Sequence, residues 1–486
     1  ADSLLEAEVE ISSRRQPSVP GFSMLGRSVP APADPRISLN NQPWSLPVVL
    51  DGNTASVRYS QALGNGWRWT AHAATQQLKS DDRVAFPYGC FDAANNVYYG
   101  DRYCPDGSFD LYDFRSDDER RRTDALELAL HGTAQTAGIG HAFSTGLLRS
   151  QVRNRFQRQA NNLVGQGHVD GSVATPEDPT LTDENTNRDE RSTELFARDA
   201  VKLSERTTAW LGLRHTRLHR ESVRTDGSRP TAYDQSFNTP WLALSHALGA
   251  DALIYASWGR GVESEVVPNR ARYDNRGEAL SAQSRQVELG IKGGAGDWRW
   301  NAAAFDIVRP AYADVGIDCV SDAVRDTCTR RRDGDARHRG VELSAAWQSA
   351  PWTVQGGLQA LQARRHGSVR EDVNGQRPTN VPALAFKLQG RYDVAALPGL
   401  ALQGDLLAEG DRMLLEDNSA RIPGYGRVDA GLRYAQTTGF GSFVWRAGID
   451  NLLDRRAWRE SPLQFGHVYL FPLAPRTLRL SVEVAM

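Results

Sequence analysis

Residues 478–486 read LRLSVEVAM, and this stretch decides the fold because apolar and polar side chains alternate along it. One face would carry Leu478, Leu480, Val482, Val484 and Met486, and the other Arg479, Ser481 and Glu483. Alternation over this length indicates a β-strand whose two faces meet different surroundings. The same period of two recurs in residues 285–292, 341–347 and 427–434, which predicts an all-β chain.

Three features favour a membrane-spanning barrel over a soluble β-sandwich. Strand candidates such as residues 298–314 and 400–417 exceed the ~5–6 residues usual in soluble sheets. Short turns such as Gly64-Asn65-Gly66 alternate with long polar connections such as residues 81–107, an asymmetry typical of outer-membrane barrels. Trp and Tyr also recur near strand ends, for example at Trp298, as in the aromatic girdles of such barrels.

We therefore predict a transmembrane antiparallel β-barrel of about 18 strands, with residues 1–486 forming a single barrel domain. The expected strands are approximately residues 3–13, 54–63, 67–79, 108–134, 141–156, 188–205, 208–225, 231–248, 252–267, 281–294, 298–314, 337–350, 351–368, 381–394, 400–417, 421–438, 443–461 and 467–486. Polar strand residues are expected to line the lumen, among them Arg58, Glu288, Lys292, Glu342, Arg433 and Glu483.

The composition excludes several other classes. Lys and Arg number 57 against 59 Asp and Glu, a balance that argues against a nucleic-acid-binding protein. The mean hydropathy of −0.51 fits a barrel, because only alternate strand residues face lipid. No common catalytic or nucleotide-binding motif occurs, and the 10 histidines are scattered, so we do not expect an enzyme.

The four cysteines form two close pairs in polar, turn-rich segments. We predict the local disulfides Cys90–Cys104 and Cys319–Cys328 on the extracellular side. The pairs lack the spacing of zinc sites, so no metal site is expected there. The acidic segment 177–190 lacks the ligand spacing of an EF-hand, and we interpret it as a solvated loop.

Two loop segments are candidates for binding a ligand. The aromatic loop around the first cysteine pair offers flat apolar rings with polar tips, suited to a catecholate or hydroxamate ligand. The arginine run after Cys328 would attract an anionic complex. The candidate residues are Tyr88, Phe91, Tyr98, Tyr99, Tyr103, Arg330, Arg331 and Arg332. Two alternatives remain open: the rings pack the loop onto itself, and the arginines are solvated or contact lipopolysaccharide phosphates.

Several segments resemble TonB-dependent siderophore receptors. Residues 448–454, GIDNLLD, resemble that family's G-x-x-N-L-x-D motif, and residues 472–477, PLAPRT, resemble its P-G-x-P-R-T ending. Residues 20–22, 40–47 and 257–263 resemble other stretches of its members. Leu473 replaces the usual glycine, and Met486 replaces the usual aromatic end.

The resemblance implies a 22-stranded barrel filled by an N-terminal plug. Against that pattern, we expect this chain to lack the plug, the TonB box and about four strands, and to leave its first and last strands without their usual partners.

The implied function is TonB-dependent uptake of ferric siderophores in the outer membrane, with iron present only as part of the transported complex and no resident cofactor. Expected partners are the siderophore, the TonB system acting through the plug, and outer-membrane lipid and lipopolysaccharide; a monomer is expected. The alternatives are a passive porin, or a TonB-dependent importer of cobalamin, haem or a glycan.

Overall fold

The structure, a computed structural model, describes residues 2–317, 319, 324–464 and 466–485. Its strands are β1 (Ser3–Gln16), β2 (Val48–Gly64), β3 (Trp67–Pro87), β4 (Cys90–Asp92), β5 (Val97–Tyr99), β6 (Ser108–Thr136), β7 (Ile139–Arg155), β8 (Ala160–His168), β9 (Thr186–Lys202), β10 (Thr207–Arg224), β11 (Thr231–Ala247), β12 (Ala252–Val266), β13 (Ala279–Ala295), β14 (Trp298–Gly316), β15 (Cys328–Ser349), β16 (Trp352–His366), β17 (Leu384–Asp393), β18 (Leu400–Glu409), β19 (Arg412–Met413), β20 (Arg421–Ile422), β21 (Tyr425–Thr438), β22 (Gly441–Asp450), β23 (Trp458–Glu460), β24 (Leu463–Gln464), β25 (His467–Val468), β26 (Phe471–Pro472) and β27 (Thr477–Ala485). A short 3-10 helix spans Glu371–Val373. Within the described ranges, no helix has the length and apolar character needed to cross a membrane.

One sheet of 19 strands dominates the described part of the chain. With β8 set aside, its strands follow one another in chain order from β1 to β27, and each pairs antiparallel with the next. Strand β8 pairs antiparallel with the first residues of β6, from Ser108 to Arg115, and is an additional strand outside this chain-order series. The predicted fold, an antiparallel β-barrel sheet with about 18 strands in the meander, is confirmed.

Cross-strand pairing gives the sheet one apolar and one polar face. Leu289 of β13 lies opposite Ala304 of β14, which in turn lies opposite Val341 of β15. Leu289 is 55% exposed, as expected of a lipid-facing side chain in the absence of lipid. The other face lines a cavity of about 1360 Å³, to which Lys292 of β13 and Arg479 of β27 both contribute. Because these strands lie far apart in the sheet, the sheet must curve around that cavity, which is part of the lumen.

Aromatic pairs stand beside the short connections, as predicted. Trp298 packs against Trp347 with ring centroids 6.0 Å apart. The ring centroids of Trp352 and Tyr392 lie 4.7 Å apart. These rings mark the rim of the barrel at its short turns. By the asymmetry of outer-membrane barrels, this rim is the periplasmic one, and the long loops are extracellular.

Six predicted strand bounds were wrong at the extracellular side. Three strands extend further than predicted: the strand predicted as 54–63 begins at Val48, that predicted as 67–79 ends at Pro87, and that predicted as 337–350 begins at Cys328. The prediction of 400–417 ends in the structure at Glu409, and a separate small hairpin of β19 and β20 follows. The predictions of 443–461 and 467–486 shorten to β22 and β27, and residues 451–476 form a folded loop between them. That loop buries apolar side chains against other loops, so its alternation does not reflect lipid contact. Met486 lies outside the described residues.

The largest buried apolar cluster lies among the extracellular loops. This outer cluster comprises Phe22, Met24, Leu39, Trp44, Ala85, Tyr103, Phe109, Leu111, Leu414, Ala420, Ile422, Trp458, Val468 and Leu470. Paired backbone hydrogen bonds between Phe22 and Leu470 join the first long loop to the last. The outer end of the molecule is therefore packed as in a soluble domain, although the lumen below is open.

The first and last strands lie at the edges of the sheet. In the described pairings, β1 joins only β2, and β27 joins only β22. Every residue of β1 is exposed, with Ile11 at 80%, and Leu480 of β27 is 84% exposed. Both strands thus leave backbone donors and acceptors free along one side.

Candidate functional site

The aromatic loop is built on a small hairpin fixed by the first predicted disulfide. Strands β4 and β5 pair antiparallel, and the Cys90–Cys104 bond is present beneath them. Phe91 lies opposite Tyr98, and these side chains are 45% and 53% exposed. They form an adjacent pair of rings open to solution. Tyr99 lies opposite Cys90 on the other face of the hairpin and is half-buried.

Tyr103 does not share that exposure. Its side chain is fully buried in the outer cluster, and its hydroxyl donates a hydrogen bond to the Gly21 carbonyl at 2.8 Å. Its ring packs 4.8 Å from that of Phe109. Burial raises the pKa of the Tyr103 phenol well above its ordinary value. Among the sequence candidates, Tyr103 therefore belongs to the interior that supports the site, because a ligand cannot reach it without opening the loops.

Two ring residues that the sequence did not single out complete this aromatic region. His467 is fully buried, with its ring 5.2 Å from Tyr88 and 4.4 Å from Tyr469. Burial lowers the pKa of His467 to about 4, so its ring is neutral at physiological pH. The Tyr469 hydroxyl donates to the Pro87 carbonyl at 3.1 Å. Together, these contacts fix the half-buried Tyr88 ring against the loop that precedes β27.

The second predicted disulfide, Cys319–Cys328, is also present, and it lies beside the arginine run. Arg330 is held by a bidentate ion pair with Asp314, at 2.7 and 2.9 Å, and by Glu265 at 2.8 Å. Its guanidinium also lies over the ring of Tyr273, 5.6 Å from the centroid. The charge of Arg330 is therefore largely neutralised.

The other two arginines have different environments. Arg332 forms an ion pair with Asp335. Arg331 is exposed and lies opposite Ala313 in the ladder, so it points to the face away from its two neighbours. Arg331 forms no salt bridge with any described residue. Of the predicted run, Arg331 thus offers the most available positive charge.

Arg272 connects the two candidate groups. Burial raises the pKa of Tyr88, and the positive charge of Arg272 partly opposes that rise, which places the two groups within electrostatic range. The Arg272 guanidinium lies 5.0 Å from the ring centroid of Tyr273, the same ring that Arg330 covers. The aromatic loop and the arginine run therefore approach one another through the loop between β12 and β13. The sequence analysis did not single out Arg272, which lies in a polar loop between Arg270 and Arg276.

The acidic segment 177–190 carries no metal cluster. Asp183 binds Arg224 at 3.1 Å, and Glu184 binds Arg158 at 2.6 Å. No group of three or more His, Cys, Asp or Glu side chains in the described ranges is arranged to hold a metal ion. These carboxylates instead pair with arginines at the outer ends of the strands.

The fold and this loop surface define a class: a transmembrane β-barrel with a wide polar lumen and an elaborate, aromatic extracellular mouth. Comparison with known sequences identifies the family. The chain belongs to the family described as "TonB dependent receptor-like, beta-barrel", which matches residues 11–452. Its location is the bacterial outer membrane, as predicted.

Individual relatives agree with this assignment. The ferrichrome receptor FcuA of Yersinia enterocolitica is 26% identical over 212 residues, which is 41% of this chain and 25% of that receptor. The aligned part of the chain thus spans a quarter of the length of that relative.

Solved structures share the fold. BauA, the ferric preacinetobactin receptor from Acinetobacter baumannii, superposes with a TM-score of 0.82 at 19% identity, over 99% of this chain and 70% of that one. The ferric-catecholate import receptor Fiu from E. coli K12, in its closed form, gives 0.78 at 16% identity, over 99% and 72%. The siderophore receptor PiuA from Acinetobacter baumannii gives 0.78 at 17% identity, over 99% and 72%. At these identities the likeness establishes the fold.

Proposed function

We propose that the chain is the barrel of a receptor that takes up ferric siderophores through the outer membrane, driven by the TonB system. The supporting observation is the mouth, where the exposed rings of Phe91 and Tyr98 share the extracellular end with the available charge of Arg331. Flat rings and a cation suit an anionic chelate with aromatic or hydroxamate groups. The named receptors among the relatives, for ferrichrome and for ferric preacinetobactin, support the same substrate class.

In this proposal the chain transports and does not catalyse. The siderophore supplies the ligands of the iron, so the protein contributes no metal ligand and holds no cofactor. Residues 1–486 act as one barrel domain, and energy reaches it through a plug that engages the TonB system. The barrel functions as a monomer among outer-membrane lipid and lipopolysaccharide, with Tyr88 and Tyr99 as the less exposed part of the ligand surface.

The test compares two neighbouring arginines. Arg331→Ala should weaken the binding of a ferric siderophore about fivefold at low salt, since one exposed charge contributes roughly 1 kcal/mol. The loss should shrink at high salt, because the Debye length falls from about 10 Å at 0.1 M to about 3 Å at 1 M. Arg120→Ala is the control: Arg120 is an exposed arginine of the run Arg120-Arg121-Arg122 on β6, and its loss should leave affinity unchanged. Equal affinity of wild type and Arg331→Ala at low salt would refute the role of this charge.

The ligand screen separates the alternatives. Ferric catecholate and hydroxamate siderophores, cobalamin, haem and a glycan are tested against the same protein by titration. Saturable binding of cobalamin, haem or a glycan alone would replace the siderophore with another TonB-dependent substrate. The alternative of a passive channel is supported by the charged side chains, such as Lys292 and Arg479, of the lumen cavity of about 1360 Å³, and it predicts steady ion conductance with no saturable ligand.

A further inference from the structure

Three arginines stand on the outer face of the barrel, the face of the sheet that carries the lipid-facing leucines. Arg149 of β7 pairs directly with Leu126 of β6 and with Thr193 of β9, and Leu126 is 47% exposed. Thr193 pairs in turn with Arg217 of β10. Directly paired residues of a sheet share a face, and Arg191 joins them because it lies two residues from Thr193 on β9, toward the extracellular end. Arg149, Arg191 and Arg217 form the outer arginine group.

The height of this group on the barrel places it at the outer boundary of the lipid. Strand β7 begins at Ile139, beside a short turn, and reaches Arg149 after about ten residues. At ~3.3 Å per residue and a tilt of ~40°, that length gives a height of roughly 25 Å, which is the height of the apolar band of such barrels. Leu147 and Leu195 pair with one another just below the group, and Leu195 is 57% exposed. The arginines therefore lie where acyl chains end and lipid headgroups begin.

The protein does not balance the charge of this group. The side chains of Arg149, Arg191 and Arg217 are exposed, and they form no salt bridge or hydrogen bond with the described residues. Two strand spacings separate Arg149 from Arg217 by about 10 Å, and Arg191 lies roughly 7 Å further out along β9. Side chains as long as arginine can converge from these three positions on one anion.

Nearby carboxylates on the same face already have partners within the protein. They are paired as Asp124 with Arg122 at 2.9 Å, Asp189 with Arg155 at 2.7 Å, and Glu221 and Asp234 with His219 at 2.9 and 2.8 Å. The outer arginine group is thus left with a net positive charge that faces the membrane. A segment that fills the lumen cannot cover it, because it lies on the outside of the barrel.

We propose that the outer arginine group binds a phosphate on the glucosamine headgroup of lipopolysaccharide, with the acyl chains of that lipid on Leu147 and Leu195. Guanidinium groups bind phosphate through charge-assisted hydrogen bonds, often two from one arginine. The extracellular boundary of the lipid favours this glycolipid over a glycerophospholipid, and the Thr193 hydroxyl between the arginines suits a sugar. The site does not depend on the siderophore proposal, because it lies on the opposite face from the lumen and binds no iron complex.

The experiment measures lipid binding to the purified chain in detergent micelles at low ionic strength, with native mass spectrometry to count bound lipids. The probes are diphosphoryl lipid A, the same lipid without its phosphates, phosphatidylglycerol and inorganic phosphate. Diphosphoryl lipid A should bind saturably and about tenfold more tightly than either of the other lipids. The double variant Arg149→Gln/Arg217→Gln should weaken its binding about twentyfold, since each exposed charge contributes about fivefold.

Matched variants separate recognition of the phosphate from a change in the barrel. Arg198→Gln removes an exposed arginine of β9 that faces the lumen instead, and it should leave the affinity for lipid A unchanged. Arg149→Lys/Arg217→Lys keeps both charges and should weaken binding only about threefold, because lysine lacks the guanidinium fork.

Three results would overturn the proposal. One is an affinity for lipid A in Arg149→Gln/Arg217→Gln that equals that of wild type or that of Arg198→Gln. Another is equally tight binding of phosphatidylglycerol or of the lipid without phosphates, which would assign the surface to membrane lipid in general. The third is displacement of lipid A by inorganic phosphate at an equal concentration, which would assign the arginines to a soluble anion.

Discussion

Asn451 is the residue whose loss should most clearly uncouple the last extracellular loop from the barrel. It follows β22 directly, is 1% exposed and has a φ of 51°. Its side-chain amide donates to the carbonyls of Arg455 at 3.0 Å and Ala474 at 2.9 Å, and its side-chain oxygen accepts from the Arg455 amide at 2.8 Å. One side chain therefore joins the start of the loop to its end.

The cost of Asn451→Ala follows from these contacts. Three buried hydrogen bonds at about 1 kcal/mol each amount to roughly 3 kcal/mol. Alanine in the left-handed region adds about 1 kcal/mol, because asparagine tolerates that conformation better. The total of about 4 kcal/mol corresponds to a thousandfold rise in local opening. Asn451→Gly loses the same bonds without the backbone strain, so its cost should be about 1 kcal/mol smaller.

Hydrogen–deuterium exchange provides the assay. The Leu470 amide donates to the Phe22 carbonyl at 2.7 Å, and the Leu473 amide donates to the Ala457 carbonyl at 2.8 Å. In Asn451→Ala both amides should exchange about a thousandfold faster, while amides of β18 in the membrane keep their protection. Protection of both loop amides within threefold of wild type would refute the reasoning. Equal loss in β18 would show a global effect instead.

Three further outcomes are expected. Replacing Cys90 and Cys104 by serine should destabilise the aromatic loop by about 3 kcal/mol, since the disulfide closes a loop with a sequence separation of 14. The rate of protease cleavage between the two positions measures this loss, and cleavage as slow as in wild type would contradict it. Tyr103→Phe should leave the Gly21 carbonyl without its hydrogen-bond donor and lower the free energy of local opening at the outer cluster, measured by hydrogen exchange, by about 1–2 kcal/mol. Tyr98→Phe, at an exposed ring, should leave that free energy unchanged. Burial lowers the pKa of His467 to about 4, so between pH 6.5 and 4 the unfolded loop binds more protons than the folded one. The local stability of the loop should therefore be complete above pH 6.5 and fall as the pH drops to 4. An equal pH dependence in His467→Phe would exclude this histidine as the cause.

Local signals predicted the barrel well because the bilayer and the lumen impose a simple period on each strand. Residues 285–292 and 427–434 alternate since every second side chain faces lipid, and that constraint acts within a few residues. The disulfides were equally accessible from sequence, because each joins cysteines that lie close together in the chain. The strand pattern and the disulfide pairs can therefore be predicted without knowing which distant residues meet in the folded chain.

The interior of the mouth depends on contacts that no local pattern carries. The Ser23 hydroxyl donates to the Val468 carbonyl across 445 positions of sequence. Arg330 looked available for a ligand, but its partner Glu265 lies 65 positions away. Tyr103 looked like its exposed neighbours because tyrosine occurs both in cores and on binding surfaces. In each case the three-dimensional partner, which decides the role, lies outside any sequence window.

Strand β6 determines how far from the bilayer the protein meets its surroundings. It has 29 residues, whereas crossing the bilayer takes ~9–11 residues of a tilted strand. About 18–20 residues therefore stand clear of the hydrocarbon, which at ~3.3 Å per residue and the usual tilt raises the outer end of this strand by roughly 40 Å. Only β3 and β8 pair with its outermost residues, since β7 pairs with it from Arg120 inward. A narrow hairpin, rather than the whole rim, therefore projects furthest from the bilayer and is the part that an approaching solute meets first.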